Sequence, residues 1–500
     1  MLTAKDVKVL DLNSEFFGVS TETLMENAGK GVADFVVKKY KPRVVTVFCG
    51  LGNNGGDGFV AARYLSRHCR CNVVLMKDPS EIKTSLARKN FERLKDVNVI
   101  IYGNEDEKTL VDLLRNSDVV LDAMLGVGLS GELREPYKSC VELLNREKKN
   151  FSLISVDIPT GFGTSLSLHP DATVTFHDLK EGMNRENCGE IEVVDIGIPE
   201  EAKVYVGPGE LKVYYPRNKS GSHKGDNGVV LVVGGGPYVG APVLSALAAL
   251  RTGVDLVYLA TPKRVAEAVY SLNANEGVSR KHALWLLNLI VEELSEKDRF
   301  VTEDLNLLSG LLDKVDAVVV GPGLGKHDET KEAVKKLLSL CREKNVSCVI
   351  DADAIGVVGS NREILKDLEA VVTPHKGEFI RLTGEKVPDD TEDAEKIVKE
   401  WAKKLSVTIV LKSSEDIISD GVRVKRNMVH HPAMTVGGTG DVLAGVVGGL
   451  LSKKVSPFFT GCIGTFLNGS AGLKAFEKKS YGVVATDVVE EIPLVLKQFL

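Results

Sequence analysis

The chain has 500 residues, 43% of them hydrophobic and 26% charged, with a net charge of −6. That length exceeds what one hydrophobic core serves and implies two large domains. The charge balance provides no basic field and argues against a nucleic-acid partner. The eight cysteines are scattered with no C-x-x-C pair, so zinc and redox templates fail and a reduced, cytoplasmic setting is expected.

The N-terminus, MLTAKDVKVLDLNSEFF, has charges every few residues and no apolar centre, so it is not a secretory signal. A helical face follows at Leu24, Ala28, Val32 and Phe35. Strands are predicted at 44–48, 72–76, 97–102, 119–123, 153–157 and 172–176, with helical patterns between most of them. Such alternation builds a parallel sheet covered on both faces. The pattern lapses in the polar stretch YYPRNKSGSHKG, which predicts a junction there and domains 1–215 and 216–500. A second series of strands is predicted at 228–233, 256–260, 317–321, 348–351, 370–373 and 408–411, and the chain from Gly437 reads as helices. Residues 228–250 carry no charge and are long enough to span a bilayer. However, Gly234, Gly235, Gly236, Pro237 and Pro242 interrupt them, so they read as strand, glycine loop and buried helix.

Ligands of open parallel sheets bind beyond the carboxyl ends of the strands. CGLGNNGGDG follows the first predicted strand, and Gly50, Gly52 and Gly55 fit a G-x-G-x-x-G spacing. Glycines there let the backbone approach a ligand, and the following helix offers free N–H groups. A nicotinamide-nucleotide fingerprint further wants an acid about 20 residues on, and Asp78 lies near that distance. Asp57 does not suit a pyrophosphate cradle. A carboxylate there fits a hydroxyl, an amide or a cation, or serves only as an acid at the helix N-terminus. In the second half, GGTGDVLAG is a glycine loop opening a helix. Its N–H groups can meet the charge of a transferred phosphoryl group, and Asp441 stands where it can take a proton from a hydroxyl. A helix-capping aspartate in a glycine-rich turn has the same local pattern.

NNGGDG, DAMLGVGLSGE and SVDIPTG, with LMENAG and VVDIGIP, resemble the N-terminal domain of the YjeF family, the NAD(P)H-hydrate epimerases, over residues 1–215. SHKGDNG, GGPYVGAPVLSALAALRTG, VVVGPGLG, VIDADAI, TPHKGEFIRLTG, GGTGDVLAG and YGVVATDVVEEIP resemble the same family's C-terminal dehydratase domain over residues 216–500. The resemblance implies an α/β chain, with a Rossmann-like three-layer N-terminal domain and a ribokinase-like C-terminal domain. It implies a bifunctional isomerase and lyase that interconverts the R and S forms of NAD(P)H hydrate and dehydrates the S form at the expense of ADP or ATP. A kinase of a small vitamin or sugar, with an N-terminal nucleotide-binding module, is the alternative on the same scaffold.

In the epimerase domain the resemblance implies substrate contacts at Asn53, Asn54, Gly55, Gly56 and Asp57, along Gly126, Val127, Gly128, Leu129, Ser130, Gly131 and Glu132, and at Asp157. Asp157 or Asp57 would move the proton, and Asn54, Asp122 and Thr160 would hold K+. In the dehydratase domain it implies substrate contacts at Ala241, Gly323, Gly325, His375 and Asp441, with Asp441 the catalytic base. Lys412, Ser413, Ser414, Glu415, Asp416, Gly437, Gly438, Thr439 and Gly440 would bind the nucleotide with Mg2+. The chain departs from the family at HDLKEGM, where Lys180 takes the place of a lysine in Pro-Lys-x-Gly-Leu. It also departs at KSSED, where many members have Lys-Gly, and at HHPAM, where many have Gly-Asn. A homo-oligomer is implied, with no membrane partner.

Overall fold

A computed structural model describes residues 1–128, 131–274 and 286–500. The chain forms two compact units, Met1–Lys203 and Val204–Leu500. This boundary precedes the junction expected after residue 215. The helix Pro208–Tyr214 buries Leu211 in the core of the second unit, and Tyr214 stacks on Phe459 with ring centroids 3.5 Å apart.

In the first unit the strands are β1 (Val44–Cys49), β2 (Arg70–Leu75), β3 (Asn98–Ile101), β4 (Val119–Ala123), β5 (Ser152–Val156), β6 (Ala172–Phe176) and β7 (Glu190–Val194). They form one parallel sheet in the order β3-β2-β1-β4-β5-β6-β7. β1 is apolar but for buried Thr46, which shares a hydrogen bond with Ser117, because helices cover both faces. The expected helical face sits on Thr21–Tyr40, with Leu24, Ala28 and Val32 buried and Phe35 half-buried. β7 escaped the sequence reading: its charged residues face solvent at the sheet edge. The strand order reverses between β1 and β4, and an open α/β sheet forms a crevice at such a point.

The second unit contains β8 (Val229–Val233), β9 (Leu256–Thr261), β10 (Ile290–Glu293), β11 (Ala317–Val320), β12 (Ser347–Ile350), β13 (Ala370–Val372), β14 (Thr408–Leu411), β15 (Asp416–Ser419) and β16 (Val424–Asn427). The order is β10-β9-β8-β11-β12-β13-β14-β15-β16, parallel as far as β14 and antiparallel beyond it. Its order reverses between β8 and β11. β10, β15 and β16 were not anticipated. β15 begins inside the segment read as a nucleotide loop, because Asp416 and Asn427 pair across a short hairpin. The C-terminal helices Thr439–Ser452, Pro457–Lys479 and Ala485–Phe499 bury their apolar sides in one core cluster. Residues 228–250 form β8, a glycine turn and most of the helix Gly240–Arg251, as read from their breakers. No helix among the described residues is long and apolar enough to cross a membrane.

Candidate active sites

β1 runs into the turn Gly50–Gly52 and the helix Asn53–Leu65. The glycines serve close approach, and none of those from Gly50 to Gly58 has left-handed backbone. A Cβ on Gly50 would lie 1.8 Å from the Met124 carbonyl oxygen, and one on Gly55 would lie 2.0 Å from that of Gly50. Gly56 packs on Met25, whose Cε would be 2.6 Å from a Cβ there. Gly55 thus seats the helix start on the turn at Gly50 and Gly56 seats it on Met25, while Gly58 lies against Cys49 of β1 and Ala123 of β4. Gly52, at the N-cap, has no atom within 4 Å of its Cβ position.

Beyond the strand ends lies a cavity of about 810 Å³, whose walls include Asn53, Asn54, Asp57, Asp157, Lys180 and Asp11. Gly126, Val127, Gly128 and Glu132 also line it. Gly131 takes left-handed backbone at φ +78°, whereas Leu129 and Ser130 lie outside the described residues. The Glu132 carboxylate accepts from the Ser165 hydroxyl at 2.6 Å. Asp157 follows β5 with a left-handed φ of +68°, a costly conformation for a side chain other than glycine. Its Oδ1 is 2.5 Å from Lys180 Nζ, which also donates to Thr175 Oγ1 at 2.7 Å and the Phe176 carbonyl at 2.9 Å. Lys180 is therefore a buried cation held by the end of β6. Burial pushes the Asp57 carboxyl well above the usual carboxylate range, and the charges of Asp157 and Asp11 add to the shift. Asp11 was not anticipated. Burial, then Asp157, raises it to about 6. Asp78 is exposed and does not line the cavity, and its carboxylate accepts from Ser80.

Asp122, at the end of β4, is fully buried. Its oxygens accept from Thr160 Oγ1 at 2.6 Å, Thr160 N at 2.8 Å, Ser155 Oγ at 2.9 Å and Met124 N at 3.2 Å. No cationic side chain pairs with it among the described residues, and burial raises its proton affinity. Asn54 Nδ2 is buried without a hydrogen-bond partner, and the Asn54 amide lies against Gly126, whose Cβ would be 3.4 Å from Asn54 Cγ.

In the second unit Lys412, just past β14, points at acids from three other segments. Its Nζ is 2.8 Å from Asp351 Oδ1 and 3.8 Å from Glu378 Oε2, and a Cβ on Gly440 would lie 3.5 Å from it. Thr373 Oγ1 also donates to Asp351, at 2.6 Å. Asp441 lies in the first turn of the helix Thr439–Ser452. Burial raises its carboxyl to about 7, with Asp351 adding and Lys412 opposing. The strand-end motif VIDADAI, which holds Asp351 and Asp353, had signalled these acids, although they were not singled out. Gly438, the N-cap, has φ +97° and packs on Leu244 and Ala485. Gly437 is open, and Thr439 Oγ1 donates to the Met434 carbonyl at 2.9 Å.

Ala241 and Gly323 are neighbours: a Cβ on Gly323 would lie 3.4 Å from that of Ala241. Gly325 donates its N–H to Asp353 Oδ2 at 2.8 Å. His375 caps the helix Lys376–Thr383. Its Nδ1 accepts from Gly377 N at 2.9 Å and Glu378 N at 3.2 Å, which leaves the proton on Nε2. The rest of KSSED turns upon itself. Ser413 Oγ donates to the Glu415 carbonyl at 2.5 Å, Glu415 meets Arg426 at 3.4 Å, and Asp416 accepts from Ser413 N and Asn427 Nδ2. Ser414 is exposed.

Two separate α/β domains, each with buried carboxyls beyond the strand ends of its sheet, define a two-site enzyme. The NAD(P)H-hydrate dehydratase family matches residues 229–494, and the YjeF-related protein N-terminus matches residues 21–182. The bifunctional NAD(P)H-hydrate repair enzyme of Archaeoglobus fulgidus is 42% identical over 98% of this chain and 97% of its own length. That of Hyperthermus butylicus is 40% identical over 98% of this chain and 91% of its own. The crystallised ADP/ATP-dependent NAD(P)H-hydrate dehydratase of Bacillus subtilis superposes with a TM-score of 0.48 at 23% identity, covering 59% of this chain and 99% of its own. The chain belongs to the family of bifunctional NAD(P)H-hydrate repair enzymes.

Proposed function

We propose that the first cavity inverts the hydroxyl-bearing carbon, C6, of a hydrated nicotinamide nucleotide, and that the second site removes the same hydroxyl by way of its phosphate. The observation that carries this reading is the pair of raised carboxyls, Asp57 beyond the β1 end and Asp441 in the group formed with Asp351 and Lys412. A group that holds a proton near neutrality is matched to acid–base work.

In the first site Asp57, protonated by its burial, gives its proton to the C6 hydroxyl. The C–O bond breaks as the ring nitrogen shares its lone pair, and water leaves. Water returning to the opposite face loses a proton to Asp157, which Lys180 positions at 2.5 Å, and the two acids re-equilibrate. The residues around Asp122 suit a potassium ion: the donors are all oxygens, the carboxylate is buried without a cationic side chain, and rotating the Asn54 amide turns its Oδ1 toward the place of the unpartnered Nδ2. Asn54, Asp122 and Thr160 would hold it, and its charge would steady the loop that carries Gly126.

In the second site Asp441 takes the proton of the C6 hydroxyl as that oxygen bonds to the terminal phosphorus of ADP or ATP and the bond to the departing nucleotide breaks. Phosphate then leaves C6, C5 gives up a proton, and the ring double bond of NAD(P)H returns. Lys412 and the helix N–H groups at Gly438–Gly440 face the phosphoryl charge. No cluster of three or more metal-binding side chains occurs among the described residues, so Mg2+ would be held chiefly by the nucleotide's phosphates. A homo-oligomeric state and a cytoplasmic location belong to the same reading, and the eight free cysteines support the latter.

Product analysis tests this. Given hydrated NADH, a nucleotide and Mg2+, the enzyme releases one free phosphate for each NADH restored. A stable phosphorylated product without free phosphate supports a kinase instead.

A further inference from the structure

The helix Ala4–Phe16 lies before the segment that matches the epimerase family, which begins at residue 21. It nevertheless forms a wall of the epimerase cavity. Ala4, Val7, Lys8 and Asp11 all line it, at the spacing of one helical face. The helix is also tied to the catalytic loop. Leu2 donates its N–H to the Leu179 carbonyl at 2.8 Å and accepts from Glu181 N at 3.0 Å, on either side of Lys180. Buried Asn13 and Ser14 seat its other end. Asp11 thus has a fixed place in the same cavity as Asp57, Asp157 and Lys180.

We propose that Asp11 is a positioning residue of the epimerase, a third carboxyl that keeps the transferable proton on Asp57. This rests on Asp57 being the donor. Three carboxyls share one buried ammonium, and Lys180 is committed to Asp157 at 2.5 Å. Asp11 and Asp57 are left to divide a proton, because two like charges buried in the wall of one cavity resist joint ionisation. Asp11 is itself among the charges that raise Asp57. Lys8, Lys83 and Arg134 also line the cavity, yet burial, Asp157 and Lys180 dominate the shift of Asp11. Glu132 is engaged by Ser165, and burial lowers the proton affinity of His177.

The test is the pH profile of epimerisation by the full chain, with its own dehydratase activity on the S hydrate as the control for folding. Asp11→Asn removes one negative charge beside Asp57, so the alkaline limb of kcat/KM moves about one pH unit toward acid. Asp11→Glu returns it, and the dehydratase rate is unchanged. Asp11→Ser is read in the same way should Asn fold poorly. An unshifted limb in both Asn and Ser variants overturns the proposal. So does loss of epimerisation at every pH with the dehydratase intact, which makes Asp11 itself the proton donor. Asp57→Asn separates the two levels: full activity in that variant removes Asp57 as donor, whereas an inactive Asp57→Asn beside an unshifted Asp11→Asn removes only the role of Asp11.

Discussion

Lys180 Nζ and Asp157 Oδ1 stand 2.5 Å apart, both side chains almost wholly buried. In such a pair the loss of one partner costs more than the pair contributes, because a charge is stranded away from water. Among the described residues lining the cavity, Lys8, Lys83 and Arg134 are not buried as Lys180 is, so none replaces it beside Asp157. Lys180→Met is predicted to destabilise the first unit by about 3–5 kcal/mol in denaturant unfolding and to abolish epimerisation. Dehydration of the S hydrate persists wherever the second unit stays folded. A loss below about 1 kcal/mol would mean the pair behaves like a surface contact.

Asp441 works as a base only when ionised, so the dehydratase rate rises with pH through about 7. Asp441→Asn is predicted to lower that rate by about 10²–10⁴-fold and to leave epimerisation intact. The same group sets a stability trend. Its folded-state proton affinity exceeds the unfolded value, so its contribution is fully present below the unfolded pKa and lost as pH rises through about 7. Asp441→Asn therefore melts higher than the parent at mildly alkaline pH and no higher in acid. Equal midpoints on the alkaline side would show that the carboxyl is not strained.

The glycines of the first turn divide by what surrounds them. Gly50→Ala drives a methyl to 1.8 Å from the Met124 carbonyl oxygen, whereas Gly52→Ala meets nothing within 4 Å. Gly50→Ala is predicted to cost more than about 2 kcal/mol, and Gly52→Ala to stay within about 0.5 kcal/mol. Urea titrations of both variants decide it, and similar losses would refute the packing role assigned to Gly50.

The Asp122 site predicts a thermal midpoint that depends on the cation present. Raising K+ at constant ionic strength, against tetramethylammonium, should raise the midpoint of the first unit by mass action. Asn54→Ala should flatten that response. A midpoint indifferent to K+ in the parent removes the ion from the site.

Much of this was legible because the chemistry follows strand ends. Asn53, Asn54 and Asp57 could be placed from the run that precedes them, as could Asp441 from the glycines before it. Apolar β1 and β8, buried on both faces, were found almost to the residue, whereas β7, β15 and β16 are edge or hairpin strands whose mixed polarity mimics loops. The packing of Gly55 on Gly50 and of Gly56 on Met25 was not readable, since nothing local in the sequence marks which atoms a glycine meets. Asp11 was missed because its helix is defined by pairing with a loop some 170 residues onward, at Leu179–Glu181, and nothing local marks that partner. The five residues of KSSED were treated as one nucleotide loop. Of these five, Lys412 reaches Asp351, while Ser413, Glu415 and Asp416 bond within the turn or into the hairpin.

The most direct measurement is the recovery of reduced-nicotinamide absorbance from NADH hydrate supplied as both epimers, with Mg2+ and ADP or ATP. With both sites working, absorbance returns in full. Recovery that stops at the share present as the S epimer would contradict a working epimerase, and no recovery with either nucleotide would contradict the repair function itself.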